Sequence, residues 1–187
     1  MEYRLFFFLV GCNLPNRYTE QHDVFFGIAQ TVAGLVPALK SFWPEAEKLH
    51  IDCWREITNV NGCRIKVVRK TEVAQDDSGL SLFFINMGGY KKGEFEEFHF
   101  KELFVAPNQE HAIKLAKTTT FYNQFGFKGA VSHIDNKYGV DVDEIYPVTD
   151  ILSSADKENY RIVISNEIAV EPDEIRLGYI TLSQLSK

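Results

Sequence analysis

Two short apolar runs of β-forming residues occur in the chain, and they are similar to each other. Leu5–Val10 reads LFFFLV and Leu82–Met87 reads LFFINM. Apolar runs of this length, bounded by turn residues, predict strands buried on both faces of a sheet. A polar loop and a second apolar run follow each of them, beginning at His22 and at His99. The short connection predicts an antiparallel strand pair in both places.

A helix is predicted after each strand pair. Asn108 is the expected N-cap in the second half, and apolar residues at helical spacing carry the helix from Glu110 to about residue 124. In the first half Thr31 is the expected cap. Gly34 and Pro37 predict a weak or kinked helix there, because proline cannot donate a backbone hydrogen bond and glycine is flexible.

Further strands are predicted around residues 51–58 and 64–69, joined through the hairpin sequence Asn61-Gly62. The order of elements is therefore β-β-α-β-β, a pattern typical of α+β folds. A last strand is predicted at residues 175–181, followed by a short terminal turn.

An internal duplication explains why the two halves are alike. At a spacing of 77 residues, Leu5, Phe6, Phe7, Gly11, Glu20 and His22 match Leu82, Phe83, Phe84, Gly88, Glu97 and His99. Later, His50-Ile51-Asp52 matches His133-Ile134-Asp135, and Arg64–Val68 resembles Arg161–Ser165. Matches in the same order predict two diverged copies of one unit.

The copies are predicted at residues 1–74 and 79–167, with a C-terminal tail at 168–187 that adds a strand. A period this long does not fit a solenoid, so a pseudo-twofold pair of small units is expected. The fold class predicted is α+β, built from two β-β-α-β-β repeats. Pairing of like surfaces also leaves a homo-oligomer open.

Paired histidines and carboxylates are the polar residues present in both copies. The pairs are Glu20 with His22, Glu97 with His99, His50 with Asp52, and His133 with Asp135. Residues two apart in a strand point to the same face, so the members of each pair are expected to lie side by side. These eight residues are the candidate catalytic residues.

Three interpretations of the pairs remain open at this point. A carboxylate can hold a histidine for purely structural reasons. An imidazole oriented by a carboxylate can also act as a general base near neutral pH. Two imidazoles and two carboxylates would, thirdly, suit a divalent metal such as zinc, iron or manganese, although the spacing matches no standard metal motif.

Weaker ligand-binding candidates lie in the loops after the first strand of each copy. Arg17 belongs to one loop, and Tyr90, Lys91 and Lys92 belong to the other. The positive charges suggest a loop that faces an anion. Ordinary polar turns have the same composition, and no helix follows directly as in a phosphate-binding loop.

Charge and cysteine content narrow the class of protein. The net charge of −6 disfavours nucleic-acid binding, and no apolar run is long enough to span a membrane. Three widely spaced cysteines fit reduced thiols in a cytoplasmic protein, with a Cys53–Cys63 redox pair as the alternative. Because LFFFLVGC recurs as LFFINMGG in mid-chain, it is interpreted as a strand and not as an export signal.

The sequence resembles a small bacterial family known only as a domain of unknown function, which occurs in one or two copies per protein. The stretches that carry the resemblance are LFFFLVGC, Glu20–Gly27, Leu49–Asp52, Gly88–Tyr90 and Ser132–Asp143. The resemblance implies a cytoplasmic bacterial protein with two copies, and it implies no activity.

These observations favour a protein that binds or acts on a small molecule through its duplicated Glu-x-His and His-x-Asp pairs. One alternative is a non-enzymatic module that interacts with or regulates a protein partner. Another is a metal-dependent enzyme. The sequence shows no evident cofactor signature and does not assign a reaction or a substrate.

Overall fold

The computed structural model describes residues 2–46, 48–72, 78–126, 133–134, 144–166 and 171–185, with only the backbone described at 133–134. Strands and helices are mixed along this part of the chain, which confirms the predicted α+β class. No helix in the described ranges combines the length and the apolar character needed to cross a membrane.

The strands in chain order are β1 (Arg4–Cys12), β2 (Gln21–Ala29), β3 (His50–Ile57), β4 (Asn59–Val60), β5 (Cys63–Arg69), β6 (Ser81–Tyr90), β7 (Glu97–Ala106), β8 (His133–Ile134), β9 (Glu144–Pro147), β10 (Tyr160–Asn166) and β11 (Arg176–Thr181). The helices are α1 (Val36–Phe42), α2 (Gln109–Ala116), α3 (Thr120–Gln124), α4 (Val148–Ile151), α5 (Ser154–Asn159) and α6 (Leu182–Leu185). Two compact units are present: Met1–Asp76 with Leu152–Lys187, and Asp77–Ile151.

The main sheet of the first unit has the order β11-β3-β1-β2, and each neighbouring pair is antiparallel. One face of β1 enters a core with the helical segment, where Phe8 and Leu39 are fully buried. The opposite face carries Phe7, whose ring stacks on Phe26 of β2 at 4.5 Å between centroids. Because β1 is apolar on both faces, it holds the centre of the sheet as its sequence predicts.

The second unit contains a similar arrangement. β6 lies between β7 on one side and, on the other, β8 and β9 at different points along its length. Ala112, Ala116 and Phe121 from α2 and α3 pack with Ile85 and Met87 of β6 to form the core.

A third sheet, in the order β10-β5-β4, belongs to the first unit. The sequence repeat assigns β10 to copy two, yet β10 pairs with β5 along its length. Lys66 faces Val163 at the centre of this pair, and the repeat makes those two positions equivalent. The compact units therefore divide the chain differently from the predicted repeats 1–74 and 79–167. The repeats were defined by sequence similarity and not by packing, so their boundaries stay a prediction.

Both predicted helices are interrupted. The segment after Thr31 begins as a 3₁₀ turn at Val32–Leu35 and continues as α1, in line with the expected kink. In the second unit Asn108 caps α2 as predicted, accepting a hydrogen bond from the His111 backbone N–H. The continuous helix expected from Glu110 to 124 is wrong in detail. Thr119 hydrogen-bonds to the Ala116 carbonyl and then caps α3, which starts a new helix.

Asp173 attaches the segment before β11 to the end of β3. Its carboxylate accepts hydrogen bonds from the Thr58 backbone N–H at 3.1 Å, from the Thr58 hydroxyl at 2.5 Å and from the Asn59 N–H at 3.3 Å. We expect Asp173→Ala to lower the free energy of unfolding by about 1–3 kcal/mol, because partly buried donors lose their acceptor. Urea denaturation measures the change.

Glu174→Gln is the matched control for Asp173→Ala. The Glu174 side chain is 76% exposed and pairs only with nearby Arg176 in the contacts described, so the change should be within about 0.5 kcal/mol of wild type. Equal effects of the two substitutions would show that the Asp173 contacts contribute nothing specific to stability.

Candidate functional site

The candidate site forms where β2 and β3 flank the end of β1. Gly11 of β1 lies opposite His22 of β2 in one register and opposite His50 of β3 in the other. The two histidines therefore stand on either side of one glycine. Glu20 precedes β2, and Asp52 follows His50 on β3, so four predicted residues meet here.

Gly11 leaves the space that His50 occupies. A Cβ atom built on Gly11 would lie 2.6 Å from His50 Nε2 and 3.1 Å from Asp52 Oδ2. Carbon atoms do not approach nitrogen or oxygen so closely without displacing them. The absence of a side chain at position 11 thus lets an imidazole and a carboxylate cross over the central strand.

The four side chains form a closed ring of contacts. His22 Nε2 lies 3.0 Å from Asp52 Oδ2 and 3.4 Å from Glu20 Oε2. His50 Nε2 lies 3.2 Å from Glu20 Oε1 and 3.3 Å from Asp52 Oδ1. Each imidazole therefore touches both carboxylates, and each carboxylate touches both imidazoles. We call these four residues the His–carboxylate cluster.

The cluster is buried on one side and open on the other. The His50 side chain is only 2% exposed, whereas His22 and Glu20 are 38% and 36% exposed. His50 Nε2 and Asp52 Oδ2 are buried and make no hydrogen bond of acceptable geometry. A buried polar atom without a partner is costly, so these two atoms mark a position where a bound group would be favourable.

Two strand irregularities meet at the cluster. The register between β1 and β3 shifts beside Asp52, and the register between β3 and β11 shifts between Leu177 and Ile180. Gly178, at φ +133°, sits in the second shift and adopts a backbone conformation that favours glycine. Bulges of this kind re-aim side chains and are frequent beside active sites.

Tyr179 covers the buried imidazole from the second irregularity. Its ring stacks on His50 at 4.2 Å between centroids and an angle of 24°, although Tyr179 itself is 65% exposed. The sequence prediction missed this residue. A glycine inside a predicted strand, Gly178, was the available signal, because it often marks a bulge.

The second unit repeats the register but not every contact. Gly88 of β6 lies opposite His99 of β7 and opposite His133 of β8, as Gly11 does with its two histidines. The Tyr90 hydroxyl donates to Glu97 Oε1 at 2.6 Å. Asp135 and the His133 side chain lie outside the described residues. The predicted cluster of copy two therefore stays a prediction.

The loop cations lie at the surface. Arg17 is exposed in the loop between β1 and β2, and Lys92 is exposed after β6. The Lys91 ammonium lies over the rings of Phe98 and Phe125, at 4.7 and 5.0 Å, and 3.8 Å from Glu94. These contacts already use the charge of Lys91. Anion binding by these residues and Tyr90 remains untested.

A separate open cleft of about 520 Å³ lies in the first unit. Trp54, Arg4, Glu56, Asp173 and Arg176 are among its lining residues, and no member of the His–carboxylate cluster lines it. Arg176 stacks over the Trp54 ring at 4.8 Å, and Arg4 pairs with Glu56 at 3.2 Å. Both guanidinium groups therefore already have interaction partners. The cleft offers a ligand fewer polar atoms without hydrogen bonds than the cluster does.

The three cysteines form no disulfide, so the structure gives no support to a bridged Cys53–Cys63 pair. Cys12 lies beside Gly11 and packs into the core of the first unit. Burial, assisted by the negative charge of Glu20, raises the pKa of the Cys12 thiol. Cys12 is thus a neutral, poorly nucleophilic thiol at neutral pH.

We expect the pKa of the Cys12 thiol to lie above the ordinary pKa of a cysteine thiol, because burial and Glu20 both oppose the thiolate. Thiolate absorbance at 240 nm, taken as the difference between wild type and Cys12→Ser, measures this titration. A Cys12 thiol that ionises in the folded protein at a lower pH than an ordinary cysteine thiol would contradict the expected direction.

Residues 17–67 match the family model described as Domain of Unknown Function (DUF1543). This segment contains all four residues of the His–carboxylate cluster. No curated protein matches the chain. A solved structure, the crystal structure of a protein Il1583 from Idiomarina loihiensis, is similar with a TM-score of 0.60 and 21% identity, covering 97% of this chain and 98% of that chain. This likeness supports the fold and no particular activity.

Gly11→Ala tests the close approach on which the cluster depends. The added methyl group would overlap His50, so we expect the free energy of unfolding to fall by about 1–3 kcal/mol and the His50 imidazole to move. Urea denaturation measures the first effect. A changed NMR chemical shift of the His50 ring measures the second.

Gly34→Ala is the control for Gly11→Ala. A Cβ atom at Gly34 would meet its nearest neighbour, the Ala29 Cβ, at 3.4 Å, so the added methyl group needs little adjustment. Its stability should stay within about 1 kcal/mol of wild type. A Gly11→Ala protein with unchanged stability and an unchanged His50 resonance would refute the steric argument.

Proposed function

We propose that the first unit binds a small molecule at the His–carboxylate cluster and acts on it by proton transfer. The observation that carries this proposal is the pair of buried atoms without hydrogen-bond partners, His50 Nε2 and Asp52 Oδ2, beside two partly exposed side chains. A ligand can approach past His22 and Glu20 and reach two atoms whose close contacts lack hydrogen-bond geometry.

Charge and aromatic character define the kind of ligand. With neutral imidazoles, Glu20 and Asp52 give the cluster two negative charges within a few ångströms of each other. A group that donates hydrogen bonds or carries positive charge is therefore favoured over an anion. The exposed Tyr179 ring beside His50 adds an aromatic surface of the kind that attracts cations.

Proton transfer is assigned to His22. Its imidazole is 38% exposed, and its Nε2 lies 3.0 Å from the Asp52 carboxylate. A carboxylate at this distance orients an imidazole, as a general base requires. His50 is 2% exposed, so its role in this proposal is to position the two carboxylates and to offer Nε2 to a small ligand group, and not to transfer the proton.

The proposal includes two further predictions from the sequence. One is that the protein is bacterial and cytoplasmic. The other is a second site in copy two that uses Glu97, His99, His133 and Asp135. The repeated register of Gly88 with His99 and His133 supports a related arrangement there. The match of residues 17–67 to a domain of unknown function does not identify a substrate.

Protein interaction is the second candidate function, and exposed apolar residues on β11 favour it. Ile175, Leu177 and Tyr179 are 56%, 78% and 65% exposed, at alternate positions on and just before a strand at the sheet edge. An edge with exposed apolar side chains can pair with another chain.

A double variant tests the proposed ligand site. We expect His22→Ala with His99→Ala to abolish binding of a small amine, with the melting temperature within a few degrees of wild type, because the first side chain is partly exposed and the second exposed. The probe is methylammonium, followed in the NMR spectrum through the ring resonances of His22 and His50 in the wild type and of His50 in the variant. Acetate is the comparison ligand and should leave both rings unchanged.

His111→Ala is the matched control for the double variant, since His111 is an exposed histidine on α2 whose ring contacts only Asn108 in the contacts described. It should bind methylammonium as wild type does. No response of the cluster histidines to methylammonium in the wild-type protein would refute the proposed ligand class. Unfolding of the double variant would instead support a structural role for the histidines.

A further inference from the structure

We infer that the His–carboxylate cluster holds a divalent transition-metal ion, bound by His22 Nε2, His50 Nε2 and one oxygen each of Glu20 and Asp52. The inference rests on the proposed function, because it names the group that occupies the same site. Ion binding would use His22 Nε2 as a ligand and cancel the negative charge of the two carboxylates, so in the metal-bound protein a water polarised by the ion, and not His22, would supply proton transfer.

The distances between the donor atoms fit ligands that share one ion. Metal–nitrogen and metal–oxygen bonds of about 2.0–2.2 Å place neighbouring ligands roughly 3.0 Å apart in an octahedron and roughly 3.3–3.6 Å apart in a tetrahedron. The four nitrogen–oxygen distances in the cluster run from 3.0 to 3.4 Å. These distances involve both oxygens of each carboxylate, so they place the four side chains within reach of one ion once each carboxylate turns one oxygen toward both imidazoles.

Hydrogen bonding explains these contacts less well. If His50 Nε2 carried a proton aimed at a carboxylate, it would have a hydrogen-bond partner at 3.2 or 3.3 Å, yet the contacts lack that geometry. Asp52 Oδ2 likewise has none, although His22 Nε2 is 3.0 Å away. Short distances without hydrogen-bond geometry leave the lone pairs of these atoms available to a cation.

The charge of the cluster also selects a divalent cation. Two carboxylates and two neutral imidazoles sum to two negative charges, which a divalent ion cancels. Mixed nitrogen and oxygen donors suit zinc, manganese and iron better than magnesium or calcium, which prefer oxygen alone. Partial burial under Tyr179 strengthens the electrostatic attraction by excluding water from one side.

Binding requires a small rearrangement of side chains. No group of three or more His, Cys, Asp or Glu side chains within the described ranges is already in place to hold an ion. The carboxylates must turn so that one oxygen of each meets both imidazoles. Glu20 is 36% exposed and precedes β2 in a loop, so it has room to make this turn.

The test is metal binding by the full-length chain without an affinity tag that binds metal. After treatment with chelator and its removal, isothermal titration with Zn²⁺ and with Mn²⁺ should show at least one site in the wild type. His22→Ala should weaken that site by about 100-fold or more. His22 is partly exposed, so this variant keeps the fold, which circular dichroism verifies.

Glu20→Gln provides a second variant, because it keeps the shape of the side chain and removes its charge. It should weaken the same site by at least about tenfold. His111→Ala is the control for adventitious binding by a surface histidine and should leave this site unchanged.

The outcomes separate the metal from the proposed function. Failure of Zn²⁺ and Mn²⁺ to bind the wild type, or equal binding by wild type and His22→Ala, overturns the metal inference. If methylammonium still shifts the cluster histidines in that case, the small-molecule site stands without a metal. If neither probe binds, both the inference and the proposed function fail.

Discussion

The arrangement of the first unit depends on the close approach of two side chains to the backbone of β1 at Gly11. His50 and Asp52 occupy space that any Cβ atom at this position would take, since such an atom would lie 2.6 Å from His50 Nε2. Three strands converge there, because Gly11 is paired with His22 on one side and with His50 on the other. A polar cluster can therefore form on a strand that is otherwise apolar on both faces.

Local patterning was sufficient to predict most elements of this fold. The apolar runs at Leu5 and Leu82 became central strands, and the short connections after them gave antiparallel pairs. Pairing between distant segments was beyond a single sequence. Nothing in the pattern of β5 or β10 indicates that they pair, because β propensity specifies a strand and not its neighbour.

The candidate site was predicted in part. The two-residue spacing of Glu20 with His22 and of His50 with Asp52 indicated neighbouring side chains, and the structure brings all four together. The position of Tyr179 over His50 depends on irregular pairing of β11 with β3. Predictions from strand periodicity assume regular pairing. They therefore cannot show which side chain a bulge will direct into the site.

The two units show how a shared register can support different chemistry. At the position equivalent to Tyr90 the first unit has Asn13, and at Glu97 it has Glu20. The Tyr90 hydroxyl donates a 2.6 Å hydrogen bond to Glu97, whereas Glu20 contacts the cluster imidazoles. A carboxylate that already accepts a strong hydrogen bond is a weaker partner for a ligand, because that bond must be exchanged first. The first unit is accordingly the better candidate for the functional site, because Glu97 of the second unit must first release the Tyr90 hydroxyl.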